Sequence, residues 1–143
     1  MKKNLSKHLL ICALLVGLSS YVGSAGAHFK NNNFIVNKTE QVFTFVCPAT
    51  TSYSQVRVKD KSANAGIMSS TLFKDGTAKS VTDLVQGDAN FSSTYATVSG
   101  GAGTYYILIT QTSAASGSFD LEYHCWNAAN VEVAGPTVTL TQP

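Results

Sequence analysis

Ser118-Phe119-Asp120-Leu121-Glu122-Tyr123-His124-Cys125-Trp126 alternates apolar and polar residues without a break. A period of two is the signature of a β-strand with one face on a core, because successive side chains point to opposite sides. Phe119, Leu121, Tyr123 and Cys125 therefore face inward, and Asp120, Glu122, His124 and Trp126 face outward. The same reading of Gln41–Cys47 turns Phe43, Phe45 and Cys47 to one side. Two independent patterns thus aim both cysteines at the core.

Further from this strand, Val, Ile, Thr, Tyr and Phe recur between Gly-, Asn- and Ser-rich breaks, and helical periodicity is almost absent. Strands are expected near Asn33–Val36, Gln41–Cys47, Ser54–Lys59, Ile67–Phe73, Lys79–Leu84, Phe91–Val98, Thr104–Gln111, Ser118–Trp126 and Pro136–Thr141. Lys74-Asp75-Gly76-Thr77 reads as a hairpin turn, since Asp-Gly readily takes the positive φ of type I′. Thr104–Gln111 is apolar on both faces, as expected of a central strand covered on both sides or lying at an interface.

The first 27 residues form a separate unit. Lys2, Lys3 and Lys7 precede an apolar run from Leu9 to Leu18, and a small-residue stretch ends in Ala25-Gly26-Ala27. This is the pattern of a secretory signal peptide with an A-x-A cleavage site, too short to span a bilayer. Residues 28–143 then form a single exported domain of about 116 residues, long enough for one core. Its seven Lys+Arg against eight Asp+Glu leave a net charge of −1. No basic cluster survives to hold nucleic acid. Cys12 belongs to the leader, so Cys47 and Cys125 are expected to pair in the periplasm or outside the cell. Closing a loop of about 80 residues is worth on the order of 4 kcal/mol in the chain-entropy model. A thiolate metal site would need cysteine or histidine at short spacing, which the mature chain lacks.

Leu72-Phe73-Lys74-Asp75-Gly76-Thr77, Gly103-Thr104-Tyr105-Tyr106-Ile107-Leu108-Ile109 and Gly117-Ser118-Phe119-Asp120-Leu121 together resemble the bacterial pre-peptidase C-terminal (PPC-like) domain. Gln41–Val46 matches that family's early F-x-F strand. The resemblance implies an all-β, jelly-roll-like antiparallel β-sandwich with an accessory or binding role and no catalytic residues. Two departures stand out: members are usually appended to exported enzymes, and the Cys47–Cys125 bridge is not part of the general pattern.

G-x-S-x-G and H-E-x-x-H are absent, and the chain is not expected to be an enzyme. Asp120 and Glu122 as a glycosidase pair, or Asp75, Asp83 and Asp88 around calcium, lack the supporting pattern, and these residues read instead as a solvated strand face and as turn residues. The candidate binding site is the outward row Asp120, Glu122, His124 and Trp126, which suits a polysaccharide or an extracellular protein. The opposing expectation is that a loop or Val131–Pro143 folds over Trp126. The alternative function is copper binding. Cleavage after Ala27 makes His28 the N-terminus, and its amine and ring with His124 resemble the histidine brace of copper-dependent polysaccharide monooxygenases and periplasmic copper proteins in those two residues.

Overall fold

The computed structural model describes residues 28–63, 66–133 and 135–142, so the expected signal peptide lies outside the described residues. Nine strands are present: β1 (His28–Ile35), β2 (Glu40–Cys47), β3 (Tyr53–Asp60), β4 (Met68–Lys74), β5 (Thr77–Asp83), β6 (Ala96–Val98), β7 (Gly103–Gln111), β8 (Gly117–Trp126) and β9 (Thr139–Gln142). They form a four-stranded sheet, β1-β8-β3-β6, and a five-stranded sheet, β5-β4-β7-β2-β9. Every paired neighbour runs antiparallel. The first eight strands have the order of a jelly roll, and β9 extends one sheet beyond β2. Among the described residues, no helix is long and apolar enough to cross a membrane.

The alternation that suggested β-structure also builds the core. Phe119, Leu121, Tyr123 and Cys125 of β8 meet Phe43, Phe45 and Cys47 of β2, with Val56, Val58, Leu72, Tyr105, Ile107 and Ile109 filling the space between the sheets. Phe43 and Phe119 meet edge to face at 6.0 Å, and Phe45 stacks on Tyr105 at 5.5 Å. Cys47 and Cys125 are bonded, with Cα atoms 5.7 Å apart, so one covalent link ties the two sheets together. Asp75 (φ 49°) and Gly76 (φ 81°) both take positive φ, as the type I′ turn between β4 and β5 requires.

Two strands differ from expectation for local reasons. β1 begins at His28, although His28–Asn32 has no apolar alternation. A bulge between Lys30 and Asn33 places Asn32 at φ 56° and lets its N–H donate to Asp120 Oδ1 at 2.8 Å. The strand expected over Phe91–Val98 shrinks to Ala96–Val98. Phe91 leaves the ladder because its ring packs under Arg57 and Lys59, each 5.0 Å from the ring centroid.

Candidate functional site

Asp120, Glu122 and His124 share the outward side of β8, as their spacing requires, but each is only 4 % exposed. The expectation of a solvated row is therefore corrected: these three side chains lie beneath their neighbours, although Phe29, opposite Glu122 on the same face, stays exposed. Side chains from two segments reach onto this face: residues 84–95, between β5 and β6, and residues 127–133, after β8. Tyr95 and Phe91 come from the first segment and Glu132 from the second. Trp126 is half-buried, stacked on Tyr53 at 6.2 Å, with its indole N–H buried and without a partner. The chain after β8 turns back beside this residue rather than over it, and extends the sheet edge. Asn127 N–H bonds Val131 O, Val133 N–H bonds Cys125 O, and Glu132 bridges Trp126.

The buried charges persist because β3 supplies their complements in register. Arg57 lies opposite Glu122 and Lys59 opposite Asp120. Arg57 Nε donates to Glu122 Oε2 at 2.6 Å, while Lys59 and Lys61 approach Asp120 at 2.9 and 3.4 Å. Glu122 Oε1 also accepts the Tyr95 hydroxyl at 2.6 Å and faces His124 Nε2 at 2.9 Å. On its other side, His124 Nδ1 lies 2.6 Å from Glu132 Oε1. A buried charge whose partner is removed is costly, and here every carboxylate on the face has one.

The titration behaviour follows from this packing. Burial by itself raises the Glu122 pKa, but hydrogen bonds from Arg57, Tyr95 and His124 outweigh it and hold the carboxyl below the ordinary range. Asp120 is likewise lowered: burial acts upward, and the Asn32 N–H with Lys59 and Lys61 more than offsets it. Burial and the adjoining Glu122 push the Tyr95 phenol up to about 12.

The two copper candidates do converge. His28 Nε2 is buried, has no hydrogen-bond partner, and lies 3.9 Å from the Glu132 oxygen that contacts His124. Both ring nitrogens of His124 are nevertheless committed to carboxylates, so as arranged it has no lone pair for a metal. Among the described residues, no group of three or more His, Cys, Asp or Glu is placed to hold a metal ion. Asp88 acts within a turn, accepting the Asn90 N–H, whereas Asp83 is not a turn residue as expected: it ends β5, is buried, and accepts the N–H of Asp60 from β3 in the other sheet as well as that of Val85.

Arg57, Tyr95 and Glu132 were not found by reading β8 alone. Arg57 and Lys59 were legible, since Gln55-Arg57-Lys59 shares one parity and complements Asp120-Glu122 in charge. Glu132 lies in a segment without periodicity, and Tyr95 in a stretch read as a strand whose first five residues do not form one. No protein-family model and no curated protein matches the chain.

Proposed function

We propose that the protein is a secreted or periplasmic, non-catalytic binding or accessory module, a relative of the PPC-like domain, acting on a polysaccharide or an extracellular protein. The observation that carries this reading is the saturation of its most chemistry-bearing cluster. Arg57, Tyr95, Glu122, His124 and Glu132 bind one another, so their work is to hold the sandwich rigid. The disulfide supports an oxidising compartment, and the leader pattern of residues 1–27 supports export. A rigid sandwich that offers surfaces suits binding.

The test is incubation of exported protein with insoluble polysaccharides and with immobilised cell-surface protein, measuring saturable retention and product release together. Retention without bond cleavage supports the reading. Release of product, or no saturable retention on either class, contradicts it.

A second reading, copper binding, has one observation in its favour: the unpartnered His28 ring nitrogen beside the carboxylate that holds His124. It requires Glu132 or Glu122 to give up His124. Cu(II) titration of the mature protein at 1:1, lost in His124→Ala, is the expected result under this reading. Binding that survives His124→Ala reduces it to a generic amino-terminal chelate.

A further inference from the structure

The outward side of the five-stranded sheet contrasts with that of the four-stranded one. Phe73 of β4 lies opposite Tyr106 of β7, and Tyr106 opposite Thr44 of β2, giving one row across the sheet. The next row runs Thr71, Leu108 and Val42. Phe73 and Tyr106 stack at 5.1 Å with planes 11° apart, yet Tyr106 remains 39 % exposed. Phe73 covers one side of the phenol, and the other side looks along the row toward Thr44.

Charge is the decisive contrast. Among the outward positions of β4, β5, β7 and β2, the one charged side chain is Glu40, at the first residue of β2. Hydroxyls replace charges: Thr71 with Ser80 at 2.7 Å, Ser69 with Thr82 at 2.8 Å, and Thr44 with Thr141 at 3.1 Å. Each such pair consumes one donor and one acceptor and keeps a second donor and further lone pairs free. Within a row, side chains on neighbouring strands lie about 4.8 Å apart, so Ser80 and Thr71 in one row and Thr82, Ser69 and Thr110 in the next set hydroxyls side by side.

We propose that this face binds a neutral glycan chain, with Tyr106 stacking on a sugar ring and the flanking threonine and serine hydroxyls meeting its hydroxyl groups. The proposal deepens the binding-module reading and rests on it. An uncharged, hydroxyl-lined face with an aromatic step complements a neutral polyol, and it lacks the arginine anchors of protein hot spots while carrying the serines and threonines that are under-represented there. It also accounts for the two-sided apolar character of β7, whose outward Tyr106 is exposed and Leu108 half-buried among the described residues.

The test measures retention of the exported protein on microcrystalline cellulose and on chitin, with alginate as the anionic control. The expected result is saturable retention on at least one neutral glycan, unchanged from 0.1 to about 1 M NaCl because no ion pairs are involved. Tyr106→Ala should weaken it at least tenfold, Tyr106→Phe should keep most of it, and Phe29→Ala, an exposed aromatic on the opposite sheet, should match the wild type. Circular dichroism and melting of each variant separate lost binding from lost fold. If Phe29→Ala loses retention while Tyr106→Ala keeps it, the site is wrong although the module reading stands. Salt-sensitive retention on alginate alone overturns the ligand class. A dimer that Tyr106→Ala dissolves, without glycan retention, makes the face a self-interface and overturns the proposal.

Discussion

Glu132 Oε1 lies 2.6 Å from His124 Nδ1, so one side chain from the segment after β8 pins that segment against the sheet it has just left. With Glu122 at 2.9 Å on the other ring nitrogen, His124 links two carboxylates of different origin. Both contacts are hydrogen bonds together only when the trio carries one proton more than a neutral imidazole beside two carboxylates.

His124→Ala should therefore cost about 3–5 kcal/mol, because it leaves the buried Glu132 carboxylate without its close partner and takes one of three from Glu122, which keeps Arg57 and Tyr95. Glu132→Gln keeps an acceptor for Nδ1–H and should cost nearer 1 kcal/mol. Urea denaturation of the pair measures the difference. Amide exchange should rise first at residues 127–133 in the alanine variant.

Trp126→Ala should behave as a structural substitution, lowering stability by about 2–4 kcal/mol, somewhat under the range for a fully buried aromatic. Thermal melts check this, and the same variant should leave glycan retention per folded molecule unchanged. A fully stable Trp126→Ala protein would mean that the packing around Trp126 is not formed.

The disulfide fixes the spacing of the sheets at β2 and β8. Replacing Cys47 or Cys125 should lower stability by about 2–5 kcal/mol. Intact-mass analysis of exported protein should show loss of residues 1–27 and of two hydrogens, and a free-thiol signal from folded protein would contradict the pairing.

Acid sensitivity has a defined sign. Glu122 and Asp120 have folded pKa values below the ordinary ones, so their stabilisation is present above the ordinary carboxylate range and is lost as pH falls through it, below about 4. Asp60 acts oppositely: burial raises its pKa, the Ser62 N–H partly offsets this, and Asp83 adds to the rise. Its ionisation thus costs stability as pH climbs past the ordinary value. Denaturation midpoints between pH 3 and about 7 should show Glu122→Gln losing less on acidification than wild type, and Asp60→Asn gaining most at the neutral end.

The core was legible because its signal is local: β8 and β2 alternate cleanly, and inward parity placed both cysteines where they bond. The type I′ turn was legible for the same reason, Asp75-Gly76 being a two-residue instruction. What covers β8 was not. Parity separates inward from outward, but an outward residue is solvated only if nothing crosses it; Glu132 reaches it from an aperiodic segment, and Phe91 and Tyr95 from a stretch that reads as a strand but leaves the ladder. Phe91 shows the conflict directly, since its strand-like composition yields to packing against Arg57 and Lys59. Likewise, a central strand apolar on both faces suggested cover or an interface, and Tyr106, apart from its stack on Phe73, is exposed among the described residues.

The account turns on which face of the sandwich is closed, and Trp126 is the single tryptophan that reports it. Acrylamide quenching of its fluorescence in the oxidised, folded protein is the most direct measurement. A quenching constant several-fold below that of the urea-unfolded chain, unchanged on addition of a glycan that the protein retains, is the predicted result. Quenching as efficient as in the unfolded chain, or a shift of emission when the glycan binds, would place the open face on β8 and contradict the account.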